Sequence, residues 1–124
     1  MKKRILVVDD QPTITLVARG NLEQTGLYEV RTVRHGALAL QEVRDFRPDL
    51  ILLDVMMPGL TGPEIAEQLR EDPELSQIKI VFLTSVLTKE EERAAGGHIG
   101  GQTFIAKPFR GEELLRVIAE QLQD

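Results

Sequence analysis

Four short apolar runs in this chain each end on a residue that can do chemistry. I-L-V-V (5–8) runs into Asp9 and Asp10, L-I-L-L (50–53) into Asp54, I-V-F-L (80–83) into Thr84, and F-I-A (104–106) into Lys107. Singly, each has an ordinary reading: a solvated turn with a helix cap, a loop carboxylate, a strand-end hydroxyl, an exposed lysine. Brought to one place, they read differently. Three converging carboxylates repel one another. Protonation would relieve that repulsion, but a hard divalent cation does so at lower cost. Mg²⁺ takes oxygen ligands, keeps several waters and needs only one or two protein carboxylates beside a phosphate. A lysine and a hydroxyl next to such an ion are the equipment for holding a phosphoryl group. The chemistry this set fits is in-line phosphoryl transfer onto a carboxylate, giving an aspartyl phosphate.

The elements around these residues must bring them together. Apolar runs bounded by turn signals read as strands buried on both faces, as in a parallel sheet. Between them lie segments of helical spacing. Pro12 suits a helix's first turn, and Ile14, Val17, Ala18 and Leu22 recur on one stripe before Gly26. Ala39, Leu40, Val43 and Phe46 mark a second helix over 36–46, which Pro48 ends. Thr61 to Glu64 has the spacing of a capping box, with Ile65, Ala66 and Leu69 buried behind it. Thr88 to Glu91 repeats that spacing, but only Ala94 and Ala95 follow before four glycines, so a short, poorly packed helix is expected there. The final helix is expected over 111–123, with Leu114, Leu115, Ile118 and Leu122 inward. Tyr28 to Val33 mixes Glu29 and Arg31 with apolar residues and reads as an edge strand. The last two strands are expected over 78–84 and 102–106. The tally is five strands alternating with five helices. Short links and right-handed crossovers make this a doubly wound α/β fold with every strand end on one rim, where such sheets place their ligands.

Bulk properties narrow the function classes. The 124 residues suffice for one domain, 1–124, with a real core. The net charge of −5 argues against a nucleic-acid partner, which needs a basic face. There are no cysteines, hence no disulfide framework and no thiolate chemistry. No stretch approaches the ~20 apolar residues that cross a bilayer, and the apolar run after Met1 is too short for a secretory signal. The expected location is the cytoplasm, without a membrane partner.

Four motifs in order carry a resemblance: V-V-D-D (7–10), L-L-D-V-M-M-P-G (52–59), F-L-T (82–84) and F-I-A-K-P-F (104–109). Together they resemble the receiver domain of two-component response regulators, most closely the stand-alone chemotaxis type. The resemblance implies a flavodoxin-like (βα)5 fold with a five-stranded parallel sheet of order 2-1-3-4-5. It also implies roles. Asp54 resembles the phosphoacceptor, Asp10 the direct Mg²⁺ ligand, and Asp9 the ligand acting mainly through water. Met56 stands where a backbone carbonyl coordinates the metal. Thr84 resembles the hydroxyl that bonds the phosphoryl oxygen, and Lys107 the lysine that pairs with it, its bond to Pro108 being cis. Phe104 stands at the aromatic switch position, coupled to movement of Thr84. The backbone from Thr84 to Gly101 is expected to be more mobile without phosphate. Ser85, Thr61, Arg110 and Gly101-Gln102 depart from the family's usual residues.

The implied function is a phosphorylation-activated switch, not a turnover enzyme. Its implied donor is a histidine kinase or phosphotransfer protein. Its output is an unidentified protein target, met by a monomer or a phosphorylation-dependent dimer. Two alternatives remain at this point: a degenerate receiver serving only as an interaction domain, and a Mg²⁺-dependent phosphatase passing through an aspartyl phosphate. The second usually has an acidic residue two positions after the nucleophile, where this chain has Met56.

Overall fold

The computed structural model describes residues 2–57, 60–85, 98–99 and 102–123, with no account of the side chains of 98, 99 and 102. The elements in chain order are β1 (Lys3–Val8), α1 (Pro12–Glu23), β2 (Tyr28–Val33), α2 (Gly36–Phe46), β3 (Leu50–Asp54), α3 (Gly62–Glu71), β4 (Lys79–Thr84), β5 (His98–Ile99), β6 (Gln102–Ala106) and α4 (Gly111–Gln121). Five strands run parallel in the order β2-β1-β3-β4-β6. The expected strand order is therefore present. The two-residue β5 adds an antiparallel partner outside β6, which the sequence reading lacks. The weak helix expected after Thr88, with its capping box, lies outside the described residues, as do Gly96, Gly97, Gly100 and Gly101. β4 begins one residue later than expected and α4 ends at Gln121.

Burial on both faces explains why the central strands read as unbroken apolar runs. Successive side chains point to opposite faces of a sheet. Leu6, Val8, Ile51, Leu53, Ile80 and Phe82 therefore enter one core, closed by α2 and α3 through Val43, Phe46, Ile65 and Leu69. Ile5, Val7, Leu50, Leu52, Val81 and Leu83 enter the other, closed by α1 and α4 through Ala18, Leu22, Leu114 and Ile118. Among the described residues β2 has one neighbour, β1, and its alternating burial fits that edge position. On α1 the stripe is shifted from the expected one. Val17 is 46% exposed and Thr15 is buried instead. Thr15 can be buried because its hydroxyl donates to the Pro12 carbonyl at 2.9 Å, so no polar group is stranded.

Local chemistry sets the helix ends. Pro12 occupies the first turn of α1, and Gly26 takes a positive φ of 75° beyond its end. α2 stops at Arg47, a left-handed residue (φ 54°) whose N–H reaches the Val43 carbonyl at 2.9 Å. Pro48 disfavours helical backbone at that residue. α3 opens with the expected capping box: Thr61 Oγ accepts from Glu64 N–H, and Glu64 accepts from Thr61 N–H.

The β3–α3 connection is tight enough to require a missing side chain. A Cβ on Gly62 would collide with the carbonyl oxygen of Asp54. Gly20, in the interior of α1, has nothing within 4 Å of that position. The same substitution should therefore act with opposite sign at the two sites. Gly20→Ala is expected to raise the urea midpoint, by about 0.5–1 kcal/mol of stability. Gly62→Ala is expected to lower it by about 1–3 kcal/mol, the cost of forcing atoms into a packed site. Equal effects in urea unfolding would contradict the close approach.

Candidate phosphoacceptor site

Strand register carries the chemical residues to a common rim. Val8 pairs with Leu53, Asp54 with Leu83, and Thr84 with Ala106. One residue further along, Asp9 leaves β1 and Lys107 leaves β6. Main-chain bonds prolong the sheet at this point: Asp9 N–H to Val33 O at 3.0 Å, Val55 N–H to Leu83 O at 3.0 Å, and Lys107 N–H to Thr84 O at 2.8 Å. The strand-end residues are thus fixed by backbone bonding rather than by loop packing.

Asp9, Asp10 and Asp54 come together, each with a carboxylate oxygen within 4.8 Å of the others'. Asp9 and Asp54 are buried, and Asp10 is half-buried. Lys107 reaches between the two buried carboxylates, its side chain only 8% exposed. Its Nζ lies 2.7 Å from Asp9 Oδ2 and 3.3 Å from Asp54 Oδ1. Two short turns orient the carboxylates. Gln11 N–H donates to Asp9 Oδ1 at 2.9 Å, and Met56 N–H donates to Asp54 Oδ1 at 3.3 Å. The Met56 side chain points to solvent, 64% exposed. Thr84 is buried at the end of β4. The Lys107–Pro108 peptide is cis, as the resemblance implies.

Phe104 sits on the sheet face that α2 and α3 cover. Its ring stacks on Phe82, its register partner, with centroids 5.3 Å apart. Strand alternation puts Thr84, two residues beyond Phe82, on that same face. The aromatic and the hydroxyl are therefore on adjacent strands and one side of the sheet.

Among the described residues one ammonium faces three carboxylates, which leaves the pocket with excess negative charge. Burial pushes the Asp54 carboxyl up to about 6, with the neighbouring Asp9 charge adding to the rise and Lys107 opposing it. Asp9 Oδ2 is fully buried and has no hydrogen-bond partner among the described residues, its approach to Lys107 being close but not directed. Buried carboxylate oxygens lacking a directed donor are what a hard cation satisfies, so the donor set fits Mg²⁺. Beside Asp10 opens a cavity of about 420 Å³, whose walls include Arg34, His35 and Met57.

Sequence reasoning missed Gln11. Its Oε1 accepts from Lys107 Nζ at 3.1 Å, across 96 residues of chain. The available signal was its place: it directly follows the aspartate pair and precedes Pro12, where a good helix cap would be expected.

A raised carboxyl pKa makes a definite stability claim. The folded protein holds the Asp54 proton more tightly than the unfolded chain. The cost of ionising it is therefore present above pH 6 and fades as the pH falls from about 6 towards the unfolded value of 3.8. Without divalent metal, Asp54→Asn should stabilise the protein at pH 7.5, by about 1 kcal/mol after allowance for solvent screening at the pocket mouth. At pH 4, close to the unfolded value, the gain should largely vanish. Thermal unfolding at the two pH values checks this.

Comparison with known proteins agrees with the geometry. The response regulator receiver domain family matches residues 5–119. PhoB of Rhizobium meliloti, a phosphate regulon transcriptional regulatory protein, is 35% identical over 123 residues, covering 99% of this chain and 53% of that protein. PhoP of Bacillus subtilis, the alkaline phosphatase synthesis transcriptional regulatory protein, is 38% identical over 117 residues, covering 92% and 46%. The chain spans about half the length of these curated relatives. Among solved structures, the chemotaxis protein CheY4 of Vibrio cholerae superposes with a TM-score of 0.83 at 30% identity, covering 98% of this chain and 100% of that one. The N-terminal domain of a response regulator receiver protein from Methanoculleus marisnigri gives 0.70 at 36% identity, covering 98% and 97%. With its strand order, its clustered aspartates and its buried lysine accounted for by one family, this chain belongs to the response regulator receiver domains of two-component signalling.

Proposed function

We propose that Asp54 accepts a phosphoryl group from a phosphohistidine on a histidine kinase or phosphotransfer protein, and that the resulting charge switches partner binding. One observation carries this reading: Asp9, Asp10 and Asp54 meet at a sheet rim with Lys107 inserted between the buried pair. An Asp54 carboxylate oxygen forms a bond to phosphorus while the phosphorus–nitrogen bond of the donor breaks. The electron pair leaves with the imidazole. With acetyl phosphate as donor the phosphorus–oxygen bond breaks instead and acetate leaves.

Asp10 and Asp54 would hold Mg²⁺ directly, Asp9 through water, and Met56 through its backbone carbonyl. The ion supplies charge neutralisation at the transferring oxygens. Lys107 then exchanges Asp54 for a phosphoryl oxygen, and the Thr84 hydroxyl bonds another. Movement of Thr84 toward the phosphate would empty space on the face it shares with Phe104, into which the stacked ring can turn. Such a shift needs two arrangements close in energy, which the new contacts bias.

The domain is taken as residues 1–124, acting as a monomer or as a phosphorylation-dependent dimer. None of the described helices is long and apolar enough to cross a membrane, which supports a cytoplasmic setting for a kinase-fed switch. The downstream target is proposed to be a protein. The net charge of −5 favours that over nucleic acid for the receiver itself. Relatives named as DNA-binding response regulators are about twice this length, so their names describe more than a receiver. Methionine at position 56 disfavours the phosphatase alternative, and the complete acidic cluster disfavours the degenerate receiver.

Labelling with radioactive acetyl phosphate tests the reading. Incorporation should be stoichiometric, dependent on Mg²⁺, and absent in Asp54→Asn. Labelling that survives Asp54→Asn, or sustained turnover of an added phosphomonoester, would overturn it.

A further inference from the structure

Among the described residues, three side-chain oxygens surround the Lys107 ammonium group. Two belong to the carboxylates of Asp9 and Asp54, at 2.7 and 3.3 Å. The third is the side-chain amide oxygen of Gln11 at 3.1 Å. Gln11 stands at the N-cap of α1 with extended backbone (φ −90°, ψ 113°), yet its side chain makes no cap bond. Serine, threonine, aspartate or asparagine would stabilise that helix end better. The side chain is instead turned across the pocket mouth to Lys107, while the main-chain N–H of the same residue holds Asp9 Oδ1 at 2.9 Å. One residue thus fixes both members of the Asp9–Lys107 ion pair.

We propose that Gln11 is a positioning residue for Lys107: its neutral amide oxygen takes the outward ammonium proton and holds the lysine over the gap between Asp9 and Asp54 until a phosphoryl oxygen replaces it. This rests on Asp54 being the phosphoacceptor. The neutrality of the amide matters. A carbonyl dipole can aim an ammonium group without adding a further negative charge to an acidic pocket, and it is readily displaced by a charged oxygen, which adds a full Coulomb attraction to the hydrogen bond. A hydroxyl or short carboxylate at position 11 would be drawn to the helix N–H groups instead. A glutamate would reach Lys107 but bind it as an ion pair and resist displacement.

Two substitutions of similar length separate these effects. Gln11→Met removes the acceptor, and Gln11→Glu keeps an acceptor but charges it. The first readout is exchange of the Lys107 ammonium protons with water, followed by ¹⁵N NMR at the Nζ. The second is the single-turnover rate of Mg²⁺-dependent labelling at saturating acetyl phosphate. For Gln11→Met we expect exchange roughly fivefold faster and labelling roughly fivefold slower, the worth of one ordinary hydrogen bond. For Gln11→Glu we expect slower exchange together with slower labelling. A role confined to helix capping moves neither readout in this pattern. Unchanged Lys107 exchange in Gln11→Met overturns the inference even while wild-type labelling at Asp54 proceeds. Faster exchange with an unchanged labelling rate also overturns it, leaving only a structural contact. Failure of the wild-type protein to be labelled at all would overturn the phosphoacceptor reading first, whatever the exchange data give.

Discussion

Mutual repulsion among Asp9, Asp10 and Asp54 is the constraint on which the rest of the molecule depends. Buried like charges are costly, and a single lysine answers only part of the cost. The fold tolerates the cluster because it is built at the ends of strands that have no freedom to splay. β1 and β3 are fully buried along the half that leads to the rim. Leu52 and Leu53 point into opposite cores, so a shift of one residue in register would exchange the two faces. Hydrophobic burial on both sides thus holds in place a charge arrangement that would otherwise relax apart.

The connections serve the same end. Gly62 lets the β3–α3 turn pass against the Asp54 carbonyl, and Gly36 lets the start of α2 lie against the Leu60 backbone. The capping box at Thr61 then starts α3 directly behind the site, and the Thr61 hydroxyl and N–H hold the Glu64 carboxyl below its usual range. Lys107 is likewise positioned by the neighbouring strand, its N–H donating to the Thr84 carbonyl. The candidate site residues occupy element ends, where side chains can face a ligand while the backbone behind them stays in the sheet.

Much of this was legible in the sequence because the relevant signals are local. Uninterrupted apolar runs mark central strands, and the residue that ends each run marks the rim. Asp9, Asp54, Thr84 and Lys107 could therefore be found by position alone. Strand order could not: periodicity says that a sheet is parallel, not which strands are neighbours, and the order came from the family resemblance. β5 was missed because two residues cannot display alternation, although two glycines between Ile99 and Gln102 are a hairpin spacing. Thr15 was hidden because a polar residue that bonds its own helix backbone looks exposed by type. Gln11 was missed for a different reason. Its partner is 96 residues away, and nothing in the residue type announces it.

The central claim is that a divalent cation, and not general screening, relieves the carboxylate cluster. Thermal unfolding of the wild-type protein in MgCl₂ and in NaCl of equal ionic strength tests it directly, with Asp10→Asn as the control. The account predicts that millimolar Mg²⁺ raises the midpoint well beyond the sodium value, and that the difference shrinks sharply in Asp10→Asn. Equal midpoints in the two salts, or a magnesium effect that survives the substitution, would contradict it.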